Sequence, residues 1–125
     1  ALKFLRRDSD CTVLGGVRFK YQPVNSGRTL AEDLKIGMGR CDAVVCTGEG
    51  TGLATPMDKV ENFRQILGDF PVIIGAGVTI DMVEACRRNS DGVIVGSWFK
   101  DNHRAEYSVN EDNVKDFMLR WNAHT

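Results

Sequence analysis

The chain has 125 residues, enough for one domain with a buried core. Its 42% hydrophobic and 26% charged residues are ordinary for a globular fold. Sixteen basic against seventeen acidic residues leave a net charge of -1, which gives no electrostatic footprint for nucleic acid or an anionic membrane. Any bound anion must therefore be held locally, by backbone N–H groups and one or two cations. No apolar run approaches the ~20 residues of a membrane span and the first residues do not read as a signal peptide. The expected location is the cytoplasm, with at most peripheral membrane contact.

The chain order reads as alternating strands and helices after a helical tail, Ala1 to Arg7. Strand candidates are Thr12 to Phe19, Ala43 to Cys46, Val72 to Ile74 and Gly92 to Val95. Three of them are continuously apolar, as in parallel sheets covered by helices. Thr29-Leu30-Ala31-Glu32 is a capping box that opens the first intervening helix. Thr55, with Pro56 at the first helical position, starts the next, whose apolar face is Met57, Val60, Phe63 and Leu67 and whose end is Gly68. Thr79 is the expected cap of a third helix, within Ile80 to Arg88. Asn110 caps a fourth that presents Val114, Phe117, Met118 and Trp121 on one face.

The pattern predicts one α/β domain over residues 1–125, with no linker or low-complexity stretch. Four parallel βα repeats are half of a (β/α)8 TIM barrel, for which roughly 250 residues are typical. A lone half barrel exposes two sheet edges and an apolar inner face. It must pair with a second copy as a homo-oligomer, take up a missing N-terminal half, or close as a small open α/β sandwich. A doubly wound sheet, with its ligand at a switch in strand order, is the other arrangement.

Two late strands run into glycine turns, Val72-Ile73-Ile74-Gly75-Ala76-Gly77-Val78-Thr79 and Gly92-Val93-Ile94-Val95-Gly96-Ser97. Such adjacent turns commonly hold a phosphate group in barrels. Gly75, Gly77, Gly96 and Ser97 are therefore the candidate phosphate ligands, with Lys100 as a nearby cation. The plainer reading is that these glycines only permit tight turns and that Lys100 is a solvated lysine. Thr47-Gly48-Glu49-Gly50-Thr51-Gly52 reads as a flexible loop, a candidate lid at a strand's C-terminal end. It is not a Walker loop, because no Gly-Lys-Ser/Thr ending follows. Glu49 is its only acid and the candidate general base. Lys20 should emerge at the same end, to contact an anionic substrate or, with a depressed pKa, to form a Schiff base. Tyr21 and Gln22 would complete a polar wall there. Trp98 and Phe99 are either a stacking surface for a base or sugar or the hydrophobic lid of the barrel top.

The four cysteines, Cys11, Cys41, Cys46 and Cys86, lie in or beside apolar segments without CxxC spacing and read as buried reduced thiols. Cys46 ends its strand at the candidate site but reads as packing, with no histidine placed to activate it. His103 and His124 stand in polar surroundings near the end of the sequence, so neither a metal nor another cofactor is expected.

Three stretches carry a family resemblance: Gly16-Val17-Arg18-Phe19-Lys20-Tyr21-Gln22-Pro23; Asp42 to Gly52; and the Gly75 to Thr79 turn followed by Asp91 to Asp101. Together they resemble the C-terminal half of the BtpA-like family, TIM-barrel proteins named after a photosystem I assembly factor. The Thr-Gly-x-x-Thr-Gly element and the ending Gly-x-x-x-Lys are its more specific parts. This chain departs from the pattern at Ala76, which removes a hydroxyl donor, at Met82, where relatives often have Asn, and at Asn102, where a Gly is common. The resemblance implies a missing N-terminal half. Two functions are expected from different classes. One is recognition, with or without enzymatic turnover, of a phosphorylated small molecule such as a phosphosugar or nucleotide. The other is a non-catalytic assembly or scaffold role, such as in photosystem I biogenesis, or an inactive fragment of a larger barrel.

Overall fold

The computed structural model describes residues 10–19, 27–48, 50 and 53–123. Its strands are β1 (Leu14–Gly16), β2 (Ala43–Cys46), β3 (Val72–Ile74) and β4 (Gly92–Val93). Its α-helices are α1 (Leu30–Met38), α2 (Met57–Leu67), α3 (Val83–Asn89) and α4 (Glu111–Ala123). The strands form one sheet in the order β1-β2-β3-β4, every neighbouring pair parallel. No reversal of strand order occurs among the described residues, so the switch point of a doubly wound sheet is not present there. Ala1 to Arg7 lie outside the described residues.

The register explains which residues form the core. Gly15, Val44 and Val72 align across the sheet, as do Cys46, Ile74 and Val93. These positions meet the apolar faces of the helices: Val44, Cys46, Val72 and Ile74 join Leu34, Val60, Phe63, Leu67, Val83, Cys86 and Phe117 in one buried cluster. Neighbouring helices touch in chain order, α1 to α2, α2 to α3 and α3 to α4. Because side chains alternate along a strand, Leu14, Val45, Ile73 and Ile94 face the other way. Leu14 is 49% and Ile94 48% exposed there.

Two strands are shorter than their apolar runs suggest. β1 keeps only Leu14–Gly16 of Thr12 to Phe19, and Arg18 turns the chain with φ 49°. β4 stops at Val93, although the Ile94 N–H still donates to the Ile74 carbonyl at 2.8 Å. β2 and β3 match their expected bounds.

The helix starts divide in the same way. The Thr29–Glu32 capping box forms, with both reciprocal bonds present. Asn110 Oδ1 accepts the Asn113 N–H at 3.0 Å, as a cap should. Thr55 and Thr79 do not act as expected. The N-cap of α2 is Pro56 and no side chain caps it. Thr79 precedes a 3₁₀ turn, Ile80–Met82, again without a side-chain bond, and α3 begins only at Val83. On α4, Phe117 is buried but Met118 is 41% exposed, so the packed face is narrower than the periodicity suggests.

Arg64 closes the end of the sheet where β3 and β4 begin. Its guanidinium donates to Asp91 at 2.6 Å and to the Gly68 carbonyl at 2.8 Å, while Asp91 also accepts the Val72 N–H at 2.9 Å. Partial desolvation pulls the Asp91 carboxyl upward. The hydrogen bonds from Arg64 and Val72 and the Arg64 charge outweigh it and hold the carboxyl below its ordinary value.

Candidate functional site

The opposite end of the sheet, where the strands finish, carries the glycine segments. Gly75 continues β3, its N–H donating to the Cys46 carbonyl at 2.8 Å. There Gly75, Ala76, Gly77, Val78 and Thr79 form one wall of a cleft of about 290 Å³, and Ile94, Gly96, Ser97, Trp98 and His103 form the other. Four predicted ligand residues, Gly75, Gly77, Gly96 and Ser97, are thus brought together from two separate strands. Lys100 is not among the lining residues. Its carbonyl instead accepts Asn113 Nδ2 at 3.0 Å, which ties this stretch to α4.

The glycines differ in what requires them. A Cβ on Gly75 would stand 2.5 Å from Val45 Cγ1. Gly77 has φ +67°, and a Cβ there would lie 2.4 Å from the Leu53 carbonyl oxygen and 2.5 Å from Ala54 Cα. Both are therefore demanded by the protein's own packing. At Gly96 a Cβ would meet nothing within 4 Å. The space beside it is open, and Gly96 lines the cleft.

The N–H groups of Gly96, Ser97 and Trp98 make no hydrogen bond among the described residues, whereas those of Phe99 and Lys100 close a 3₁₀ turn onto Gly96 and Ser97. Thr79, whose side chain makes no cap bond, lines the cleft with Ser97. Thr55 serves the turn instead of the helix. Its buried hydroxyl donates to the Ala76 carbonyl at 2.9 Å and pins the glycine segment in place. Sequence reading gives Thr55 to the helix start because its bond partner lies 21 residues away.

The loop after β2 packs against this turn. Thr47, Gly48 and Gly50 are buried, and a Cβ on Gly48 would lie 2.6 Å from the Ala54 carbonyl oxygen. Glu49, Thr51 and Gly52 lie outside the described residues, as do Lys20, Tyr21 and Gln22. A cation that sequence reading missed is Lys59, on α2. Its Nζ donates to the carbonyls of Thr47 and Arg18, fastening the ends of β1 and β2. Burial pushes the Cys46 thiol up to about 11, against a smaller opposing pull from the Lys59 charge, so Cys46 packs rather than reacts. Cys41 and Cys86 are buried as expected, but Cys11 is exposed.

His103 is the other residue missed. It lies 4.6 Å from the Trp98 ring, centroid to centroid, with the planes 18° apart. Phe99 instead packs edge-on against Phe117 at 5.4 Å and serves the core. Asn102 and His103 both take left-handed backbone angles, φ 52° and 56°, which returns the imidazole to the cleft. Asparagine and histidine tolerate that region better than most residues, the one local signal in the sequence. Among the described residues no His, Cys, Asp and Glu cluster is arranged to hold a metal. No helix among them is long and apolar enough to cross a membrane.

Comparison with known proteins places these features in a lineage. The chain is 34% identical over 110 residues to an uncharacterized protein of Pyrococcus horikoshii, covering 88% of this chain and 41% of that one. It is 35% identical over 80 residues to an uncharacterized protein of Thermococcus kodakarensis, covering 64% of this chain and 30% of the other. An uncharacterized Methanocaldococcus jannaschii protein is 26% identical over 102 residues, with coverages of 82% and 38%. The chain thus spans under half the length of these relatives. No solved structure gives a significant match. The model of the BtpA family matches residues 6–123, nearly the whole sequence, and the chain belongs to that family.

Proposed function

We propose that this chain is the phosphate-binding half of a (β/α)8 barrel and that its cleft recognises a phosphorylated metabolite. The observation that carries the reading is convergence: two glycine turns from neighbouring strands line one cleft, with open space at Gly96. The N–H groups of Gly96, Ser97 and Trp98, which make no hydrogen bond among the described residues, and the Thr79 and Ser97 hydroxyls are donors suited to phosphoryl oxygens. Lys20 and Glu49 follow β1 and β2 in sequence and would face the reacting part of the ligand, as electrophilic contact and base. Sequential parallel order and the outward Leu14 and Ile94 suit half of a barrel whose inner face is closed by the rest of the protein or a second copy. Isothermal titration with ribose 5-phosphate tests the site. Saturable binding at millimolar concentration or tighter is expected, and no heat from a folded sample would refute it.

Leu14 and Ile94, exposed at the two edges of this sheet face, also favour a second reading, an assembly or scaffold role in which those edges dock a partner. It predicts association without any response to phosphate esters. Light scattering alongside the titration separates the two.

A further inference from the structure

The cleft's side chains impose a choice on the ligand beyond its phosphoryl group. His103 Nδ1 lies 2.8 Å from the Trp98 carbonyl oxygen. A carbonyl oxygen only accepts, so this hydrogen bond requires the ring proton on Nδ1. In the neutral imidazole Nε2 is then an acceptor, and it has no other partner among the described residues. Stacking on Trp98 holds the ring in place at the edge of the cleft.

An acceptor nitrogen is unsuited to phosphoryl oxygens, which themselves only accept when ionised. Thr79 and Ser97 can turn their hydroxyl protons toward a phosphate, but a Nδ1–H imidazole offers Nε2 as a lone pair. With the imidazole neutral, the cleft therefore combines donors for an anion with one acceptor for something else. We infer that His103 is a specificity-determining residue whose Nε2 accepts a hydrogen bond from a ligand hydroxyl, so that the site selects phosphate esters of sugars or other polyols over simple alkyl phosphates. The inference rests on the phosphate reading of the same cleft.

The test uses the 125-residue chain, titrated at pH 8 with ribose 5-phosphate and with methyl phosphate. Wild type should bind the sugar phosphate more tightly. His103→Gly relieves the left-handed backbone and removes the ring, and His103→Phe keeps a ring to stack on Trp98. Each should lose about fivefold in affinity for ribose 5-phosphate, the ratio given by one hydrogen bond of ordinary strength, and nothing for methyl phosphate. Parallel loss for both ligands would mean that the imidazole donates to the phosphoryl group, and no loss would mean that it makes no contact. Either overturns the assignment while leaving the phosphate site standing. Absence of binding by either ligand to wild type removes both. Independently of any variant, long-range ¹H–¹⁵N NMR of His103 should show a protonated Nδ1 and a bare Nε2, and the reverse pattern would overturn the inference.

Discussion

Replacing Gly77 by alanine separates structural from ligand-facing glycines. The new Cβ would sit 2.4 Å from the Leu53 carbonyl oxygen and 2.5 Å from Ala54 Cα, both backbone atoms that cannot swing aside. A left-handed conformation costs an L-residue about 1–2 kcal/mol. Forcing a methyl group into closed packing costs about 1–3 kcal/mol more. The sum, about 2–5 kcal/mol, is a large part of the ~5–15 kcal/mol that holds a domain together. With a urea slope of about 2 kcal/mol per molar, the unfolding midpoint should fall by about 1–2.5 M. Gly68 is the internal control, with φ +61° but nothing within 4 Å of its would-be Cβ. Gly68→Ala meets no clash, but its φ 61°, ψ -121° backbone lies outside the left-handed helical region, so it carries a conformational cost of about 1–3 kcal/mol and should lose about 0.5–1.5 M. Equal losses in the two variants, measured by circular dichroism during urea titration, would refute the close approach of the Leu53–Ala54 backbone to the turn.

Other perturbations address the remaining parts. Gly96→Ala fills open space, so the urea midpoint should stay within about 0.5 M of wild type while ribose 5-phosphate affinity falls at least about fivefold by calorimetry. Thr55→Val leaves the Ala76 carbonyl without its donor and should destabilise by about 1–3 kcal/mol, read in the same urea assay. Asp91 has a lowered native pKa, so its contribution to stability is present above the unfolded value of 3.8 and is lost as pH falls through the native value. Asp91→Asn should therefore flatten the acid limb of a stability–pH profile and leave its shape above about pH 5 unchanged, measured by thermal melts. In the native protein, Cys11 should react rapidly with Ellman's reagent at pH 8, with Cys41, Cys46 and Cys86 following only on unfolding.

What the sequence disclosed was mainly local and periodic. β2 and β3 were legible because four and three apolar residues lie between clear turn signals. The capping box at Thr29 and the cap at Asn110 were legible because each partner lies three residues away. Thr55 and Thr79 carry the same local signature, yet tertiary geometry claims one for a distant carbonyl and leaves the other facing the cleft. The two glycine turns could be named from sequence, but not which glycine serves packing. That depends on the Leu53–Ala54 backbone, which is separated from Gly77 by the whole of α2 and β3 and yet lies within contact distance in space. His103 was hidden because its placement depends on two consecutive left-handed residues that fold the chain back over Trp98. Lys59 was hidden because a lysine on a helix reads as solvated until the carbonyls of Thr47 and Arg18 are seen beside it.

The most direct measurement is a two-dimensional amide NMR titration of the chain with inorganic phosphate and ribose 5-phosphate, on a sample of known mass by light scattering. A phosphate site predicts saturable shifts centred on Gly75, Gly77, Gly96, Ser97 and Trp98, with the amides around Arg64 and Asp91 at the far end of the sheet unmoved. A folded sample whose glycine-turn amides do not move at millimolar ligand would contradict it and leave the sheet edges at Leu14 and Ile94 as the working surface.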